Sequence, residues 1–247
     1  MHPLIATTWI GSGAAATVLP DGCADLVWSD GRAVVAGPAT APVAVPATPG
    51  QVRFGVRLRA GAIEAALGVP AAELRDRDVP LEELWRPATL EPVARAADRG
   101  AAADGIAALA RALRREARGD EPDRLVRAAA ARLLEPGARL PDVAAQLGIG
   151  ERQLRRRFER TVGYGWRTLA RVHRFQRLLL LHERAPHRGL ARLAAEAGYA
   201  DQAHMARELR RLSGRTPAAL LASGARAAGE RTESFKTPDA PAAILAA

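Results

Sequence analysis

The chain has 247 residues, enough for two domains of ordinary size or one large one, either with a sizeable core. Its 36 Lys and Arg against 27 Asp and Glu give a formal charge of +9, which favours a polyanionic partner, nucleic acid or an anionic membrane surface. A single cysteine, Cys23, excludes both an intramolecular disulfide and a zinc site built of cysteines, and fits a reducing, cytoplasmic setting.

The charge is unevenly divided. Residues 1–120 hold 13 Arg against 14 acidic residues, whereas residues 121–247 hold 23 Arg and Lys against 13 acidic ones, so the whole excess lies in the C-terminal half. No uninterrupted apolar run of about 18 residues occurs and the first residues lack a basic stretch followed by an apolar one, so neither a membrane partner nor export is expected. Lys236 is the sole lysine, and the abundance of Arg and Ala fits GC-rich coding. Only its position therefore promotes an individual Arg to a contact.

In chain order, Trp9 to Leu58 reads as short strands separated by turn chemistry: Thr17 to Leu19, Asp25 to Trp28, Ala33 to Ala36, Val43 to Val45 and Val52 to Leu58. The Asp21-Gly22 and Asp30-Gly31 pairs are hairpin signals, because Gly accepts the positive φ such turns require. Beyond Gly61 the spacing becomes helical, with breaks expected at Pro70, Pro80, Pro87 and Pro92, and a longer helix over 101–118. Gly119 to Pro122 is a boundary in composition, with Asp120 a cap and Pro122 a first-turn residue. The fold class is thus α+β: a small antiparallel β unit with helices over 1–119, then an all-α domain over 123–221. The tail, 224–247, has no sustained apolar period and reads as disordered.

The all-α segment carries a repeated pattern. Leu140 to Leu147 places Val143, Ala144 and Leu147 on one face, Gly148-Ile149-Gly150 interrupts, and a second helix over 151–161 has Leu154 and Phe158 at i and i+4. A small residue, a glycine in the tight turn and an apolar residue behind it are what two helices need to cross closely, so 140–161 reads as a helix-turn-helix. The pattern returns in 190–212 with Leu193, Ala194, Ala197, Gly198-Tyr199, a capping Asp201, and then Met205 and Leu209. A long helix over 166–183 joins the two units, with Leu169, Val172, Phe175, Leu179 and Leu180 available for a core; Trp166 is also expected there.

Read together, Leu140 to Gly148, Arg152 to Phe158, Gly163-Tyr164-Gly165-Trp166, Leu193 to Tyr199, Asp201 to Met205 and Gly214 to Ala218 resemble the AraC/XylS family of bacterial transcription regulators over about one hundred residues. Leu209 stands where that family usually carries an aromatic residue. The resemblance implies sequence-specific binding of duplex DNA, recruitment or repositioning of RNA polymerase, and no catalysis. The outward positions of the second helix of each unit would read base edges: Arg152, Arg155 and Arg156 in the first, Gln202, Ala203, His204 and Arg207 in the second. Arg157 and Arg160 would meet phosphate or water. Taken alone, Arg155 to Arg157 equally fits a solvated helix face, and His204 equally fits a capping role.

Regulators of this kind usually place a sensing or dimerising domain, often a cupin-like β barrel, before the DNA-binding one. Pro20 to Trp28, Gly55 to Gly61 and Val79 to Trp85 resemble an uncharacterised half-barrel domain found in some of them, which leaves a small-molecule effector and a homodimer open. No cofactor is expected: between His2 and His173 there is no histidine, which removes the ligands of a metal-dependent cupin. Trp9 and Trp28 fit strand aromatics of the core before a ligand pocket. Two other classes stay open, a DNA-repair alkyl acceptor using Cys23 and a non-specific architectural DNA-binding protein. For Cys23 a buried structural thiol is the simpler reading, since no His or Lys lies near it in sequence to lower its pKa.

Overall fold

A computed structural model of the chain describes residues 2–11, 14–48, 50, 52–135 and 138–223; the tail expected to be disordered, 224–247, lies outside the described residues. The N-terminal half is built on strands β1 (Ile5–Gly11), β2 (Ala16–Val18), β3 (Asp25–Ser29), β4 (Arg32–Ala36), β5 (Val43–Val45), β6 (Arg53–Leu58) and β7 (Asp78–Pro80). Five of them form an antiparallel sheet in the order β1-β6-β3-β4-β7, and β2 pairs with β5 in a separate ribbon.

Asp30 and Gly31 both take positive φ, 53° and 75°, and close β3 onto β4 as expected of a two-residue hairpin. Asp21-Gly22 does something else. Gly22 also has φ 82°, yet the flanking strands do not pair with each other, since β2 pairs with β5 and β3 with β4 and β6. The reason is electrostatic: the Asp21 carboxylate turns inward to the Arg57 guanidinium at 2.9 Å and accepts the Cys23 N–H at 2.9 Å.

Central strand β6 is buried along its whole length, so its two faces carry different chemistry. Phe54, Val56 and Leu58 face a helical layer that contains α1 (Ile63–Leu67), α2 (Ala71–Leu74), α3 (Pro87–Asp98) and α4 (Ala102–Glu116). Gly105 of α4 lies so close under the Phe54 ring that a Cβ there would come within 2.3 Å of it. On the other face, Arg57 is gripped by Asp21 and by Asp25 at 2.8 Å, and Arg53 donates to the Pro46 carbonyl at 2.6 Å and the Thr48 hydroxyl at 2.7 Å. The Trp9 indole lies over Gly55 and donates to Asp25 at 2.9 Å. Trp28, by contrast, is in the core, stacked near Phe54 at 6.4 Å.

Pro92 lies inside α3 instead of ending it. The amide it lacks would have bonded the Ala88 carbonyl, but both residues are exposed, so that carbonyl is not buried without a partner, while Leu90 and Val93 anchor the helix. The first helix of the C-terminal half, Arg124–Leu133, starts one turn later than Asp120 would place it: Asp123 is the cap, accepting from the amides of Leu125 and Val126 at 2.9 and 3.1 Å.

The C-terminal half comprises α5 (Arg124–Leu133), α6 (Leu140–Gln146), α7 (Glu151–Val162), α8 (Trp166–Arg184), α9 (Leu190–Ala197), α10 (Gln202–Ser213) and α11 (Pro217–Ala222). Its core runs through Leu154, Phe158, Val172, Phe175, Leu179, Leu193, Met205 and Leu209. Leu209 is fully buried, so the missing aromatic leaves no gap at the surface, while Trp166 is only half-buried, under the Arg167 guanidinium. One member of this core, Leu19, comes from the N-terminal half.

Substituting Gly55 by Val is expected to destabilise the fold by about 1–3 kcal/mol, because a Cβ there meets the Trp9 ring at 2.7 Å and the Leu26 carbonyl at 2.8 Å. Urea denaturation with Trp fluorescence reads the loss.

Candidate nucleic-acid interface

The repetition in the sequence is repeated in the backbone. Gly148 and Gly198 both adopt left-handed conformations, φ 69° and 91°, the first one residue beyond the Leu147 cap of α6 and the second directly after α9. The following residue then donates to a carbonyl five positions back, Ile149 to Ala144 at 3.0 Å and Tyr199 to Ala194 at 2.9 Å. This wrapped helix end tucks Ile149 and Tyr199 behind the turn and sends the chain into the next helix at a fixed angle. Two helix-turn-helix units result, α6-α7 and α9-α10, with α8 between them.

The two outer helices present their polar faces differently. On α7, Arg152, Arg155 and Arg156 are exposed, opposite Leu154, Phe158 and Val162, with Arg155 ion-paired to Glu151 one turn earlier. Arg157 and Arg160 do not simply face solvent. Arg157 reaches the cap of α5, Asp123, at 2.6 Å, and Arg160 pairs with Glu64 of α1. On α10, Gln202, Ala203 and Arg207 are exposed, but His204 is half-buried and folded inward.

His204 has work on both nitrogens. Nδ1 accepts the Ala200 amide at 3.3 Å, which leaves the proton on Nε2, 3.4 Å from Glu208, and the ring stands edge-on to Tyr199. Its backbone amide donates to the capping carboxylate of Asp201 at 2.6 Å, as the sequence suggests for Asp201. Glu208 also takes Arg174 at 3.0 Å and Arg171 at 3.5 Å, both on α8, and so ties α10 to the connector. Sequence reasoning missed Glu208; its i+4 spacing from His204 is the one local signal that could have found it.

The N-terminal half is seated on the first unit and on the connector α8, and Pro42 also comes near Gly214 at the end of α10. The Pro20 carbonyl accepts from the buried Gln176 amide at 2.7 Å, and Gly22 lies where a Cβ would sit 3.3 Å from the Tyr164 hydroxyl and 3.5 Å from Leu169. Gly163, the left-handed end of α7 at φ 91°, is closed off by Pro38 and the Ala71 backbone, and its carbonyl accepts from Arg75 at 3.3 Å. These partners lie about ninety to one hundred and fifty residues apart in the chain, which is why sequence reading could not find them.

Cys23 sits in this loop. Burial, then the neighbouring Asp21 carboxylate, push its thiol well above the ordinary range, and Asp25 adds to this while Arg57 opposes it. A methyl acceptor needs the thiolate, which this setting disfavours. Among the described residues no group of three or more His, Cys, Asp or Glu is placed to hold a metal ion, and no helix is long and apolar enough to cross a membrane.

Comparison with known proteins gives two family matches. Residues 143–223 match the family described as "Helix-turn-helix domain", and residues 1–80 match a "Domain of unknown function (DUF6597)". No protein of curated function matches. Among solved structures, the chain is similar to an apo form of a single-residue variant of ToxT from Vibrio cholerae strain SCE256, at 10% identity and TM-score 0.44, covering 87% of this chain and 92% of that one. A second ToxT structure from Vibrio cholerae, at 1.65 Å, gives 10% identity and TM-score 0.41, covering 90% and 95%.

One histidine of the connector makes stability depend on pH. Burial, then the charges of Arg177 and Arg174, push His173 down to about 4. An unfolded chain protonates this residue near 6.5 while the folded one refuses until about 4, so stability is lost as pH falls through that window, by at most about 3 kcal/mol. The His173→Gln variant is expected to show a flatter profile than the parent when both are denatured with urea at pH 7, 5.5 and 4.5.

Proposed function

Residues 143–223 being a helix-turn-helix domain of the AraC type, we propose that the chain is a sequence-specific transcription regulator that reads duplex DNA with α7 and α10 in successive major-groove segments. The observation that carries this reading is the repeated wrapped turn, Gly148-Ile149 and Gly198-Tyr199, which gives two outer helices the same mode of attachment to one rigid connector. In it, residues 123–221 are the DNA-binding domain and residues 1–119 the part that senses or assembles, with α8 setting the distance between the readers. Its action would be on RNA polymerase, without catalysis, and an effector or a second copy of the chain would act through residues 1–119.

Within this reading, Arg152, Arg155 and Arg156 contact bases in one segment, where a guanidinium pairs bidentately with guanine for about 1–3 kcal/mol of discrimination. Gln202, Ala203 and Arg207 contact the other, Gln202 suiting adenine and Ala203 a thymine methyl. His204, with both ring nitrogens engaged inside the protein, would serve by holding the start of α10 in place.

Selection of bound sequences from a random duplex pool at physiological salt tests the proposal. A motif in two parts about one helical turn apart is expected, with Arg155→Ala relaxing one part and Gln202→Ala the other. If no motif emerges and both variants bind every sequence more weakly, the chain is a non-specific architectural protein.

A further inference from the structure

Glu64 and Arg160 lie 96 residues apart in the chain and meet side by side: Arg160 Nε is 3.1 Å from Oε1 and 3.4 Å from Oε2 of Glu64, and Nη2 also donates to Oε1. The carboxylate thus fills the two-pronged face of the guanidinium, the same face that would take a phosphate. The pair is open to solvent, with side-chain exposures of 53% for Arg160 and 30% for Glu64, so little fold stability depends on it.

Its position on α7 is what matters. Arg160 is eight residues beyond Arg152, about 12 Å further along the helix and turned by about 80° from the line that Arg152 begins. A major groove is about 12 Å wide. If Arg152 and Arg156 reach its floor, Arg160 arrives at its edge, where the sugar-phosphate backbone runs. Glu64 is held at that edge by the N-terminal half: Ile63, Ala66 and Leu67 bury the inner face of α1, and the neighbouring α2 is pressed on the end of α7 at Gly163.

Building on the reading of α7 as a recognition helix, we infer that Arg160 is a phosphate-contacting residue and that Glu64 withholds it. The docking of α1 and α2 on α7 therefore sets how many phosphates the first unit engages. A shift of the N-terminal half away from α7 removes a carboxylate from the path of the DNA backbone and releases one cation to it, so the same movement acts twice in the same direction. Regulation through this contact changes affinity for every sequence alike and leaves base preference untouched, because phosphates carry no sequence information.

The test uses the full chain and fluorescence anisotropy with two duplexes, one carrying the selected motif and one of random sequence, across 50 to 200 mM salt. Glu64→Gln, which keeps shape and removes the charge, is expected to bind both duplexes several-fold more tightly. Its log-log salt slope is expected to steepen by about 0.9, so its advantage grows roughly 3.5-fold between 200 and 50 mM salt. Arg160→Gln is expected to change little in the parent chain and to abolish the gain in the Glu64→Gln background. Unchanged affinity in Glu64→Gln overturns the inference while leaving the proposed function standing, and so does a gain that survives in the double variant, which would mark a general field effect. Failure of parent and Glu64→Gln alike to bind either duplex removes both.

Discussion

The arrangement of the two halves depends on one buried cation. Arg57, in the most enclosed strand of the sheet, would be costly to bury alone; Asp21 and Asp25 supply the counter-charge, and although burial pushes the guanidinium pKa down, the two carboxylates hold it well above its usual range. Asp25 is at hand on the neighbouring strand, but Asp21 must be brought in by folding the Pro20–Cys23 loop under the sheet. That recruitment carries Leu19 into the core of the helical half and presents the Pro20 carbonyl to Gln176. An ion pair internal to the sheet thereby decides which surface the sheet offers to the helices. Removing either carboxylate leaves a buried charge imbalance at the place where the halves join.

The two outer helices are consequently held by different means. The first is fixed at its far end by backbone packing, with Gly163 against Pro38 and Ala71, and at its flank by ion pairs to Asp123 and Glu64. The second is fixed at its near end by the Asp201 cap and along its side by Glu208 and its cationic partners on the connector. Steric contact tolerates little adjustment, whereas a partly buried charge network, though screened less by salt than an exposed one, can loosen without disturbing a core. α7 is thus coupled to the N-terminal half, and α10 to the connector.

Much of this was legible in the residues. The helical half follows from a period of apolar positions and from glycines at two turns, features that act over a few residues and leave their mark locally. The Asp30-Gly31 hairpin was legible for the same reason. Asp21-Gly22 carries the same local signal but obeys a partner thirty-six positions away, and Pro92 obeys the tertiary packing of its helix instead of its own preference. β7 is hidden from sequence reading because its three residues, the last of them Pro80, have no period to read, and the start of β1 because Ile5 to Thr8 lack clean alternation. At the candidate interface, exposure was predictable from helical phase, but the inward turn of His204 and the capture of Arg160 by Glu64 depend on side chains that periodicity does not report.

The connector has a mechanical side. At 19 residues, α8 is about 28 Å long, and the Pro20–Cys23 loop grips it from its first turn, at Leu169, to its middle, at Gln176. A tilt of roughly 10° at Gln176 would swing the far end, about 12 Å away, by about 2 Å, or over half a base-pair step along a duplex. The helix is a lever whose fulcrum belongs to one half and whose load is α10, so, in the proposed reading, displacements too small to disturb any packed core would still alter the phase between two contact points on DNA.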